Sequence, residues 1–118
     1  MPLPSPFHPR TQALCLTYRW ASWAGYHAPR SYGLSPAREY GAIRQGSALF
    51  DVTPLFKYDI GGDGAVAFLS RVTVRELAAL APGRMTYLCW CDDDGKVIGD
   101  GICAKLDDGR FRLTSAAP

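Results

Sequence analysis

Residues 84–105, RMTYLCWCDDDGKVIGDGICAK, decide the fold class. Arg84 to Cys91 and Lys96 to Lys105 flank Asp92-Asp93-Asp94-Gly95, and the Asp-Gly end of that linker supplies the positive φ that a tight antiparallel connection requires. The segment is predicted to be a β-hairpin whose register follows from its turn.

Side chains alternate across a strand, so the second run puts Ile98, Asp100 and Ile102 on one face and Val97, Gly99 and Gly101 on the other. Asp100 thus sits between two isoleucines. An ionised carboxylate on an apolar face is costly unless it is paired or hydrogen-bonded, which makes Asp100 a candidate ligand-binding group. The flanking glycines would admit a ligand or a neighbouring backbone. The competing reading is a Gly99-Asp100-Gly101 bulge with the carboxylate in water. On the facing strand, Tyr87 lies with Met85 and Cys89 and could stack on a flat ligand or pack as a core or interface tyrosine.

Upstream, Asp63 to Val72 is predicted helical with an apolar stripe of Ala65, Phe68, Leu69 and Val72, and Arg75 to Ala81 adds a short helical piece before Pro82-Gly83. Phe50 to Ile60 alternates imperfectly up to Gly61-Gly62 and reads as a strand. Ser35-Pro36 marks a helix start, serine to cap the free amides and proline in the first position; its interior, Ala37 to Ala48, turns Tyr40, Ile43 and Leu49 towards one face. Residues 1–34 carry Tyr18, Trp20, Trp23, Tyr26 and Tyr32 among Gly and Pro with no helical or strand period. They read as an irregular, aromatic-anchored arm, which divides the chain into 1–34 and 35–118. Downstream, Arg110 to Ser115 is a last strand, expected at an unpaired edge with Phe111 and Leu113 seeking a partner and self-association as the consequence. The class is α+β, an antiparallel sheet with packed helices.

At 118 residues and 47% hydrophobic content, the chain is long enough for one compact domain that buries roughly two-thirds of its unfolded surface. Thirteen Lys and Arg against eleven Asp and Glu, with the arginines scattered, suggest no nucleic-acid surface. The proline-rich start, MPLPSPFHPR, reads as neither a signal peptide nor a membrane helix, so a cytoplasmic location and no membrane partner are expected. Four cysteines in a reducing compartment are expected to be free thiols, and no metal site is expected: the Cys89-x-Cys91 spacing with His8 and His27 is a poor match to a four-ligand zinc centre. Asp92 to Asp94 lacks the later bidentate Glu of a calcium loop, Gly61-Gly62-Asp63-Gly64 lacks the Lys-Ser/Thr of a phosphate loop, and neither histidine has a nucleophile pattern nearby.

Three strings carry a resemblance. EYGAIRQGSALFDVTPLFKYDIGGDGAVAFLSRV (39–72) is similar to a pattern of a helix ending in a V/IR motif, LFDVS, a strand, and GPDA before a helix. PGRMTYLCWCDDDGKVIGDGI (82–102) is similar to PG, Tyr, a hairpin and a GxxxDD strand, and WAGYHAPRSYG (23–33) to an aromatic entry segment. Together they resemble the N-terminal region of the aminomethyltransferase (glycine-cleavage T-protein) family, over nearly the whole chain and roughly the first third of the family's length.

The resemblance implies part of a tetrahydrofolate-binding domain, whose complete protein would transfer a one-carbon unit from an amine or methyl donor, with a lipoyl carrier protein among the partners. Asp100 falls on the family's catalytic aspartate, the second acidic position of GxxxDD, which contacts the pterin or its bridging nitrogen. Tyr87 falls on a folate-site tyrosine, Leu55 on a pterin-lining position after FDVS, and Ser115 near a folate-contacting asparagine. Gly99 replaces the first acidic residue and Pro54 a histidine common after FDVS. The donor therefore stays open among aminomethyl-lipoyl, demethylase and sarcosine-type chemistry. A non-catalytic folate-binding or iron–sulfur assembly protein, or an inactive gene fragment, is the alternative. The 118 residues by themselves are expected to be inactive.

Overall fold

Residues 1–33 are not the irregular arm that their Gly and Pro content suggests. The computed structural model describes residues 1–33 and 35–116. It places a helix, α1 (His8–Leu14), ahead of a two-stranded hairpin, β1 (Trp20–Trp23) and β2 (Tyr26–Pro29). The hairpin turns on Ala24-Gly25, with φ of 47° and 83°. Two positive φ values in a two-residue loop match the twist of antiparallel strands. A periodicity reading misses it because the strands are four residues each and the turn uses Ala-Gly instead of Asn-Gly. Leu3 is bridged to Tyr26, with its amide donating to the Gly25 carbonyl at 2.7 Å.

The next helix, α2 (Pro36–Gln45), starts where Ser35-Pro36 predicted and stops three residues short of Ala48, at Gly46. Ser35 occupies the cap position without a side-chain hydrogen bond. Its carbonyl accepts from the Arg38 amide at 3.0 Å, while Glu39 Oε1 accepts from the Tyr32 and Gly33 amides at 2.8 Å each. The Glu39 carboxylate ties the incoming loop to the helix, while the side-chain cap expected of Ser35 is not made. No residue of α2 is buried; Tyr40, Ile43 and the following Leu49 are all exposed.

The chain divides into two compact units, Met1–Pro54 and Leu55–Pro118. The second holds β3 (Phe56–Gly61), α3 (Ala65–Val72), β4 (Met85–Cys91), β5 (Val97–Asp107) and β6 (Arg110–Ser115). The expected strand over Phe50 to Ile60 is realised only from Phe56 onwards. Thr53-Pro54 forms a turn in which Asp51 Oδ1 accepts from the Thr53 amide at 3.0 Å, and proline has no N–H for a ladder. The Asp-Gly linker folds as read, with Gly95 at φ 80°, and Asp108-Gly109 repeats the device between β5 and β6 with Gly109 at φ 87°.

All pairings in this sheet are antiparallel, in the order β3-β6-β5-β4. This corrects the expected edge: β6 is an interior strand, paired with β3 on one side and β5 on the other. Phe111 is fully buried. It belongs to a core of Ala65, Leu69, Leu77, Leu88 and Cys103, against which Leu113 also packs. Self-association through an open β6 edge therefore has no basis. Arg75 to Ala81 is not helical either. Thr73 bridges to Trp90 and the Val74 amide donates to the Cys89 carbonyl at 3.1 Å, so this run follows the outer side of β4 before Leu77 enters the core. A helix of one or two turns has little stability of its own and yields to such pairing.

One face of the sheet is thus packed and the other open. Leu88, Gly101 and Ser115 stand in register on the packed face. Met85, Tyr87, Ile98, Asp100 and Ile102 are exposed.

Candidate functional site

The hairpin register sets Cys89 opposite Asp100 and Tyr87 opposite Ile102, so Tyr87 and Asp100 are diagonal neighbours on the open face. Diagonal side chains in such pairs lie within reach of a long aromatic. The Tyr87 hydroxyl donates a hydrogen bond to Asp100 Oδ2. A carboxylate predicted to need a partner has one, and the isoleucines beside it line an exposed patch instead of a buried face. The β5 irregularity falls between the Trp90 and Cys91 pairings, where Ile98 is left without a partner, and not at Asp100.

This bond raises the Tyr87 pKa above the usual tyrosine range, first because the phenol donates to Asp100, then through partial desolvation and the Asp100 charge. A group whose pKa is higher folded than unfolded contributes stability that is complete below the unfolded value, near 10, and lost as pH rises through the folded value. Tyr87 is expected to ionise at a lower pH in Asp100→Ala than in the unaltered chain. Phenolate absorbance, with Tyr87→Phe subtracted, reports it; an unmoved titration would mean the bond does not hold in solution.

Ser115 is not brought to this face. It pairs with Gly101, is buried, and donates its hydroxyl to the Ala116 carbonyl. Thr114, partner of Ile102, takes the open-face position; one residue of register separates the two, and a one-residue step flips a side chain to the other side of a sheet. Leu55 precedes β3 and is half-buried. Two residues on, Lys57 pairs with Thr114 and so shares the Asp100 face.

The glycines flanking Asp100 serve neighbouring protein groups, not a ligand. A Cβ on Gly101 would collide with the Thr114 carbonyl oxygen of β6. A Cβ on Gly99 would lie 2.5 Å from Trp90 Cζ2, since the indole of its cross-strand partner fills that space. Position 99 therefore faces away from Asp100, and the acidic residue missing there removes no charge from the open face. Gly99→Asp is expected to destabilise the chain by about 1–3 kcal/mol through overpacking. Combined with Trp90→Ala it should cost less than the two changes summed, because both act on one space. Additive costs in urea melts would show that residue 99 and the indole do not compete.

Two cavities, of about 390 Å³ and about 190 Å³, are lined by residues of the first unit only. The larger combines Trp23, Tyr32 and Phe50 with Glu39 and Asp51; the smaller is formed by His8, Gln12, Trp20 and His27. Neither includes Asp100 or Tyr87. Among the described residues no helix is long and apolar enough to cross a membrane.

The family model described as the GCVT N-terminal domain matches residues 11–118. The chain is similar to an aminomethyltransferase of Methylococcus capsulatus, 40% identical over 101 residues that cover 85% of this chain and 28% of that protein. It is also similar to one of Bordetella parapertussis, 39% identical over 96 residues, 80% of this chain and 26% of that protein. Among solved structures, glycine cleavage system aminomethyltransferase T from Bartonella henselae superposes with a TM-score of 0.87 at 24% identity, over 99% of this chain and 32% of the other, a likeness of fold alone. The chain thus spans about a quarter to a third of the length of the proteins it matches.

Proposed function

Because the chain belongs to the GCVT N-terminal domain family, we propose that it forms part of a tetrahydrofolate-dependent one-carbon transferase in which Asp100 is the working carboxylate. The observation that carries this reading is the hydrogen bond from the Tyr87 hydroxyl to Asp100 on the open face of the sheet. It holds the carboxylate in place while leaving it accessible, as a group that must meet a pterin nitrogen requires. Tyr87 and Ile102 offer flat and apolar surface beside it, and Thr114 adds a hydroxyl. When bound, tetrahydrofolate supplies the nucleophilic nitrogen that accepts the one-carbon unit; Asp100 orients that nitrogen or takes its proton. Leu55 is assigned to the pterin edge of the same face. Ser115, turned inward, has no part in it.

The donor is an amine or methyl compound, and an aminomethyl donor is the member favoured by the names of the relatives, which are aminomethyltransferases. Keeping Asp100 favours chemistry over a non-catalytic reading, and the acidic residue missing at 99, which bears on the choice of donor, belongs to a position that faces Trp90.

An open sheet face buries little of a ligand, and affinity depends on burying most of it. The 118-residue chain is therefore expected to bind tetrahydrofolate with a dissociation constant of about 1 mM or weaker. In a titration followed by amide chemical shifts, Tyr87, Asp100, Ile102 and Thr114 should move. Shifts confined to residues 1–54 would refute the placement, and micromolar binding would refute the incomplete site.

A further inference from the structure

The sheet of the second unit has two outer strands, and they are treated differently. Thr73 and Val74 run along the outer side of β4, whereas β3 pairs with β6 alone among the described residues. Phe56, Lys57, Tyr58 and Asp59 are all exposed on it. Such an edge offers a row of backbone groups to another strand. The end of the ladder fixes which residues offer them. The Gly62 amide donates to the Gly109 carbonyl at 3.2 Å, so Ile60, Tyr58 and Phe56 turn their backbone groups to β6, while Lys57, Asp59 and Gly61 turn theirs outward.

We propose that β3 is the surface on which two copies of this chain pair, antiparallel about a two-fold axis, with Tyr58 opposite the partner's Tyr58. Ladder bonds form only where an outward residue meets an outward residue, so the axis must pass beside a residue, and charge chooses which one. Centred on Tyr58, Lys57 lies opposite the partner's Asp59, and Asp59 opposite the partner's Lys57. Shifted so that the axis passes beside Lys57 or Asp59 instead, lysine meets lysine or aspartate meets aspartate, and like charges directly opposite are destabilising. Asp59 already accepts from Arg112 Nε and Nη2 at 2.7 and 2.9 Å, and Lys57 Nζ donates to the Leu55 carbonyl. Carboxylate oxygens carry further lone pairs and an ammonium has three N–H groups, so the new ion pairs add to these contacts and displace none. On the other face Phe56 and Tyr58 stack with ring centroids 6.4 Å apart, 43% and 44% exposed, and would meet the partner's Ile60 and the partner's Tyr58. Directly opposed residues share a face and Lys57 shares that of Asp100, so the pairing makes one continuous sheet with both Asp100 carboxylates on the same side. The inference stands independently of folate binding.

A six-residue edge buries less than a standard interface, so the association is weak: sedimentation equilibrium is expected to find monomer at about 10 µM chain and mostly dimer at about 1 mM. Lys57→Glu and Asp59→Lys each oppose like charges twice and should each stay monomeric at the higher concentration. Mixed together they restore both opposite-charge pairs and should dimerise as the unaltered chain does. Hydrogen exchange of the Asp59 amide in the unaltered chain should slow as the concentration rises, a reading that needs no variant to fold. A chain monomeric throughout, dimers of either single variant, a mixture that stays monomeric, or an Asp59 amide indifferent to concentration would each overturn the pairing.

Discussion

Asp100→Asn is expected to lower kcat by about 10² to 10⁴ in a full-length transferase built around this domain, the range general acid–base groups contribute. That corresponds to roughly 3–5 kcal/mol of transition-state stabilisation. Asparagine keeps the shape and can still accept the Tyr87 hydrogen bond but cannot hold a charge or take a proton. The loss should therefore fall on kcat more than on KM. Tyr87→Phe leaves the carboxylate intact but unanchored, and a lost hydrogen bond to a charged group predicts about a tenfold effect. Steady-state kinetics with tetrahydrofolate and an aminomethyl donor separate the two. An Asp100→Asn enzyme with unchanged kcat would remove Asp100 from the chemistry, and equal losses for both variants would mean that it acts only through its bond with tyrosine.

Phe111→Ala is expected to destabilise the chain by about 3–5 kcal/mol, the cost of emptying a buried aromatic site. Domains hold together by about 5–15 kcal/mol, so the 55–118 unit would be close to unfolding in the absence of denaturant. The strand order is what makes this a sharp test. On an exposed edge strand the same substitution would fall within about 0.5 kcal/mol, as surface changes do. Here the phenyl ring is covered on β6, between β3 and β5, beside Leu69, Leu77 and Leu88. Met85→Ala, on the open face and 66% exposed, serves as the control with little effect. Urea unfolding of both variants decides it, and a Phe111→Ala chain as stable as Met85→Ala would place β6 at the edge after all.

The amino-acid sequence by itself determined the local elements whose signals are short-range. The Asp92 to Gly95 turn, the strand over Arg110 to Ser115, the helix start at Ser35-Pro36 and the pairing of faces that joins Tyr87 to Asp100 all follow from turn chemistry and from the two-residue period of strands. The motifs also marked the family, since spacing along a chain needs no third dimension. Only the tertiary structure decided what lies beside what. Nothing in Arg110 to Ser115 says that β3 will close on its far side, and so its Phe111 passed for an orphan. Arg75 to Ala81 has a helical composition, yet backbone groups of β4 compete for the start of that run. Gly99 looked like a missing acidic residue that bears on the donor until the Trp90 indole occupied its space, and Ser115 fell near a ligand-contacting position until β5 fixed the register one residue away. In each case the deciding energy comes from groups distant in sequence, through ladder hydrogen bonds and close packing, and these exist only once the chain has closed on itself.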